Sequence, residues 1–138
     1  MEINFINEHP TVSFINDAFF QSKLCNVFTG EAFTKEVFLN VVFLSDNDVL
    51  EINKEYLNHD FYTDIITFPI EETEACLEAD IYISLDRVLE NSLSYGVAYE
   101  EELLRVVLHG GLHLCGYKDK TPEEEELMRS KENYYMSL

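Results

Sequence analysis

The chain has 138 residues and sets nine basic against 27 acidic side chains, a net charge of −18 at pH 7. Its 46% hydrophobic content can build one folded core, residues 1–138 as a single domain, whereas the charge argues against general, high-affinity binding to DNA or other polyanions, which takes many Lys/Arg–phosphate contacts. No apolar run nears the ~20 residues that span a bilayer, and the opening MEINFINEHP lacks the basic-then-apolar layout of an export signal, so a cytoplasmic protein without a membrane partner is expected.

In chain order, INFIN (3–7) predicts a short strand. From Asp17 to Thr29, Phe20, Leu24, Val27 and Phe28 recur at helical spacing. EVFLNVVFLS (36–45) is β-branched and aromatic and predicts a buried strand. DNDVLEINKEYL (46–57) opens on Asp/Asn, good capping residues, and predicts a helix. TDIITFPI (63–70) predicts a strand whose Pro69 belongs at a sheet edge or a strand end. An acidic connection (71–79) is expected before a strand at 80–85. Two helices should follow, about 86–95 and 99–115, separated at Gly96. Thr121, Pro122 and Glu124 then spell a capping box with a compatible proline, the start of a last helix. Strands and helices mixed without strict alternation give an α+β fold. The three cysteines, Cys25, Cys76 and Cys115, are widely spaced and odd in number, which fits reduced thiols.

The stretch that carries chemistry is HGGLHLCGYKD (109–119). His109 and His113 are four apart and project together from one helical face. Imidazole nitrogens at that spacing reach one zinc at ~2.0–2.1 Å. Gly116 suits the left-handed turn that ends a helix, which would bring Asp119 back toward the histidines. Two histidines and one carboxylate are three ligands, and a three-ligand zinc keeps a position open for catalysis. Gly110 occupies the place of the glutamate in a metalloprotease HExxH, so a protease of that type is not expected. Gly110 and Gly111 each cost ~1 kcal/mol in a helix relative to alanine, and a close approach, by packing or by substrate, would explain them. Cys115 lies about 200° round the helix from His113 and is expected in the core. The base would be metal-bound hydroxide or a carboxylate from elsewhere such as Asp64, and Thr63 and Thr67 on the same segment are candidates to orient ligands or substrate.

HGGLHLCGYKD resembles the His-Gly-x-Leu-His-Leu-x-Gly-Tyr-Asp-His signature of the YbeY family, bacterial endoribonucleases of rRNA maturation. LNHDFYTDIITFP (57–69) is similar to that family's Thr-Asp-x-x-Ser-Phe-Pro segment, and EADIYISLDRVLENS (78–92) to its Gly-Asp-Ile-x-Ile-Ser segment. The likeness runs in consistent order over about residues 40–120.

The resemblance implies a zincin-like fold, a small mixed sheet packed with helices around a central metal-motif helix. It implies one Zn2+ per chain on His109, His113 and Asp119, and hydrolysis of phosphodiesters in rRNA or single-stranded RNA. It further implies action at the 3′ end of small-subunit rRNA and in ribosome quality control, with the ribosome or a small-subunit ribosomal protein as partner.

Two departures stand out. Asp119 falls where the family has its third histidine, and Lys118 falls on the aspartate before it. Leu57 replaces an arginine assigned to catalysis, leaving His59 as the nearby candidate to stand in for it. The acidic charge and Leu57 keep two alternatives open. One is a metal hydrolase of a small ester or amide. The other is a non-catalytic assembly factor with structural zinc whose acidic face docks a basic ribosomal protein. Oligomeric state is not legible.

Overall fold

The computed structural model describes residues 1–12 and 17–138. Its elements are β1 (Glu2–Asn7), α1 (Asp17–Gly30), β2 (Glu36–Leu44), α2 (Asp46–Leu57), β3 (Ile65–Glu72), β4 (Cys76–Ser84), α3 (Leu85–Tyr95), α4 (Tyr99–Leu114) and α5 (Pro122–Ser137). The four strands form one mixed sheet in the order β1-β2-β4-β3. β1 and β4 flank β2 in parallel, and β3 pairs antiparallel with β4. The fold is α+β and zincin-like, with β3 as an edge strand.

Alternation along the strands divides the sheet into two faces. Val37, Leu39, Val41 and Phe43 of β2, with Leu77, Ile81 and Ile83 of β4, enter the main core with α1, α4 and α5 residues such as Leu24, Phe28, Leu108, Leu112, Met128 and Tyr135. Val42 and Leu44, one residue out of phase, join Val49 of α2 and Ile66 of β3 in a smaller cluster. From Val41 to Leu44, β2 is thus buried on both faces, which explains the unbroken apolar run there.

Two expectations need adjusting, the length of the acidic connection and the cap of α2. The acidic connection is only residues 73–75, because β3 continues to Glu72 and β4 begins at Cys76. Glu78 and its neighbours are strand residues paired with β2 in the register Glu36↔Cys76 to Leu44↔Ser84. Pro69 lies at a sheet edge, as expected, within β3, whose register shifts between Pro69 and Glu71. The cap of α2 is Ser45, whose hydroxyl accepts from the Asp48 N–H at 3.2 Å. Asp46 instead turns its carboxylate to Arg87 at 2.8 Å and the Ser84 hydroxyl at 3.0 Å, joining the starts of α2 and α3.

α4 is pressed into the molecule from two sides. A Cβ on Gly110 would stand 2.9 Å from the Cδ1 atoms of both Ile65 and Ile81, and one on Gly111 2.8 Å from Leu24 Cδ2. The paired glycines therefore serve close approach of α4 to the sheet and to α1. Packing accounts for both.

Candidate metal centre

α4 is amphipathic, with Leu104, Val107, Leu108 and Leu112 in the core and His109 and His113 half-buried at its rim. The helix ends at Leu114, and Gly116 takes a φ of +106°. That turn redirects residues 117–120 across the histidines, and the capping box of α5 fixes the far end. Thr121 Oγ1 accepts from the Glu124 N–H at 3.1 Å, while Glu124 accepts from the Thr121 N–H at 3.0 Å.

The turn brings Asp119 to the histidines. Asp119 Oδ2 lies 3.1 Å from His109 Nε2 and 3.4 Å from His113 Nε2, and the two Nε2 atoms are 2.9 Å apart. Donors ~2.0–2.2 Å from a tetrahedral zinc stand roughly 3.3–3.6 Å from one another, so this triangle fits around one ion after small adjustments. Among the described residues it is the only such group of three or more His, Cys, Asp or Glu side chains.

The outer nitrogens explain why the inner ones converge. His109 Nδ1 is 2.7 Å from a carboxylate oxygen of Glu132, and His113 Nδ1 is 2.8 Å from the Tyr117 carbonyl oxygen. Both partners are acceptors, which assigns the ring protons to Nδ1 and leaves lone pairs on both Nε2 atoms. Two lone pairs and a carboxylate oxygen within 3.4 Å of one another repel unless a cation sits between them. The donor set therefore fits a divalent cation, and the histidine partners are those that usually orient metal-bound imidazoles.

The electrostatics point the same way. Burial works against a charged ring at His109. The hydrogen bond and charge of Glu132 outweigh it, helped by Asp119 and Asp64, and raise its pKa above the ordinary histidine value. Surroundings that favour a proton there also favour a metal ion.

Glu132, only 5% exposed, was not picked out from the sequence. It lies on α5 and spends its other oxygen on Arg105, at 3.0 Å. Its signal was present: Met128, Glu132 and Tyr135 recur at the spacing of one buried helix face. A glutamate in that series needs a partner.

Asp64 lies at the entrance to β3 and lines two adjoining hollows, one with His109 and His113, the other with His109, Asp119 and Glu132. Burial raises its pKa despite the opposing influence of His109. Thr63 donates its hydroxyl to the Ile65 carbonyl at 3.2 Å, a local backbone role. Thr67, Leu57 and His59 line the larger cleft, of about 970 Å³. His59 is no part of the ligand triangle; its ring stacks on Phe61, centroids 5.1 Å apart and planes 21° from parallel. Cys115, half-buried against the core, has its thiol pushed up to about 12, chiefly by burial.

A second cluster holds the turn down. Glu31 accepts hydrogen bonds from the phenols of Tyr117 and Tyr135 and, at 3.2 Å, from Lys131. Tyr117 thus links this cluster to His113 through its own backbone carbonyl.

The family model described as Endoribonuclease YbeY matches residues 2–138. The Endoribonuclease YbeY of Cytophaga hutchinsonii is 50% identical over 100 residues, covering 72% of this chain and 70% of that one. The protein of the same name from Flavobacterium psychrophilum is 51% identical over 100 residues, with 72% and 71% covered. A solution structure of a Thermotoga maritima protein superposes with a TM-score of 0.65 at 29% identity, covering 96% of this chain and 85% of that one.

Proposed function

We propose, since this chain belongs to the YbeY endoribonuclease family, that it cuts RNA internally by hydrolysing a phosphodiester at a centre of one divalent cation held by His109, His113 and Asp119. The observation that carries this reading is the convergence of three metal-donor atoms within 3.4 Å of one another, with acceptors on both outer imidazole nitrogens. We take the ion to be zinc, one per chain, and residues 1–138 to be a single catalytic domain. The donor set supports this: two imidazoles and one carboxylate, with a place left for the reactant, suit catalytic zinc.

A bound divalent ion supplies positive charge to a phosphoryl oxygen and acidifies a water. The protein does the rest. Glu132 and the Tyr117 carbonyl fix the tautomer and direction of the two histidines. Asp64, a carboxylate with a raised pKa beside His109, accepts the proton of the attacking hydroxyl, whether water or the RNA's own 2′-hydroxyl. Leu57, exposed in the cleft, brings no charge to the phosphate, and His59 on the same wall is the candidate to stand in for the family's arginine.

Family membership supports precursor rRNA as the substrate, at the 3′ end of the small-subunit RNA, with a role in ribosome quality control. It equally supports the cytoplasm as the place of action and the ribosome or a small-subunit ribosomal protein as partner. Among the described residues no helix is long and apolar enough to cross a membrane.

The test is metal analysis of wild type and His113→Ala, with both proteins assayed on a structured rRNA fragment. Stoichiometric zinc and cleavage in wild type alone is the expected result. Zinc without cleavage would favour an assembly factor, cleavage of small esters alone would favour a different hydrolase, and equal cleavage by both proteins would point to a contaminant. A 2′,3′-cyclic phosphate end would identify the 2′-hydroxyl as nucleophile.

A further inference from the structure

The acidic surface raises a question that the metal centre does not answer: what holds a polyanion against a chain of charge −18? Seven of the nine basic side chains are already engaged. Lys23 donates to the backbone oxygens of Met136 and Leu138. Lys35 pairs with Glu72, and Lys54 with Glu51 and Asp60. Arg87 pairs with Asp46 and Glu90, Arg105 and Arg129 with Glu132, and Lys131 with Glu31. Among the described residues the two ammonium groups without an acidic or backbone partner are those of Lys118 and Lys120, and both are exposed. They flank Asp119, and Lys120 lines the cleft that opens on the histidines.

The same cleft carries an aromatic platform. Phe61 is 55% exposed, and His59, also exposed, lies nearly parallel against it. Neighbouring Tyr62 is different, because one face of its ring is taken by the Arg87 guanidinium, 5.3 Å from its centroid. An exposed, stacked ring pair that shares its cleft with the uncommitted ammonium of Lys120, with that of Lys118 two residues before it, is the equipment of a single-strand binder, in which a base lies on a ring and phosphates meet ammonium groups.

We propose that the single strand expected of the family is held in this cleft by two devices of this chain's own: an unpaired base stacked on the Phe61–His59 pair, and backbone phosphates on Lys118 and Lys120. The proposal rests on the endoribonuclease reading above and adds how the strand is held. Phe61 supplies a physical reason for the preference for single strands, because a base inside a duplex has no free face to offer it. The grip is also short. Two phosphate contacts give a dependence of log affinity on log salt of roughly −1.4, at about −0.7 per contact for a single strand, well below that of a general RNA binder.

The test uses the zinc-loaded full chain and a labelled ten-nucleotide single-stranded RNA with 2′-O-methyl groups throughout, which prevents 2′-hydroxyl attack. Affinity is measured over a salt series, and cleavage of the unmodified RNA is followed in parallel. Phe61→Ala should weaken binding by about 5- to 150-fold, the usual range for losing one stacked base, while Phe61→Trp should retain it. Lys118→Ala/Lys120→Ala should bring the salt dependence close to zero. Metal content and circular dichroism identify any variant that fails to fold. Wild-type cleavage with Phe61→Ala binding as wild type does, or with an unchanged salt slope in the lysine double variant, overturns the grip and leaves the endoribonuclease reading standing. Wild type that cuts no RNA overturns both.

Discussion

The three candidate ligands reach the same point by different means. His109 and His113 grow from a helix that has no room to move, wedged by Gly110 against Ile65 and Ile81 and by Gly111 against Leu24. Each ring is then gripped from behind, by Glu132 in one case and the Tyr117 carbonyl in the other. Asp119 comes from a turn. Among the described residues its carboxylate makes polar contacts only with the two histidines. Two candidate ligands are thus preorganised and the third is positioned by the turn that carries it. The helix should set whether a cation is captured at all, and the turn should tune how tightly and with what acidity it is held.

The largest effect expected from breaking this arrangement is at the helix. His113→Ala should lose stoichiometric metal and bring RNA cleavage to background, read by elemental analysis and a cleavage assay, whereas Asp119→Ala should retain weak metal binding through the remaining pair. If Asp119→Ala lost metal as completely as His113→Ala, the division between helix and turn would be wrong. Next comes the buried support of His109. Glu132→Gln should weaken metal affinity by about 10- to 100-fold, the usual cost of losing such an outer partner, measured by chelator competition.

The turn should respond more gently, through Glu31. Burial alone would raise this carboxyl's pKa, but hydrogen bonds from Tyr117, Tyr135 and Lys131 hold it below the ordinary glutamate value. A lowered folded pKa gives stability that is present above the unfolded value and lost as pH falls through the folded one. Glu31→Gln should therefore cost about 1–3 kcal/mol near neutrality and progressively less in acid. Denaturant melts across pH read this, with metal affinity falling less than in Glu132→Gln. The smallest effect belongs to Asp119→His. It keeps a ligand and removes one negative charge, so metal should remain while the acid limb of the pH–rate profile moves to lower pH.

Much of this organisation was legible in the residues. The i, i+4 histidines, the helix-ending Gly116 and the returning Asp119 follow from helical geometry and glycine's freedom at positive φ. The capping box at Thr121 was equally plain. Strand β4 was read too short because Glu78 resembles loop material, and only its pairing beside β2 shows that an acidic side chain there points out of a sheet. The order β1-β2-β4-β3 is a property of long-range pairing that no local pattern encodes. Glu132 was missed because a glutamate on a helix normally faces solvent. Its reason for burial lies 23 residues away in sequence, on another helix.

Cys115 sits next to the candidate centre without entering it. None of the three converging donor atoms is sulfur, and the thiol nearest the ligands in sequence stays protonated up to about 12. Peroxides and electrophiles attack thiolates, which is how zinc sites built on cysteine are disarmed during oxidative stress. A centre of imidazole and carboxylate offers such reagents nothing to oxidise readily, so this protein should keep its ion, and its chemistry, in cells whose cysteine-bound zinc is being released.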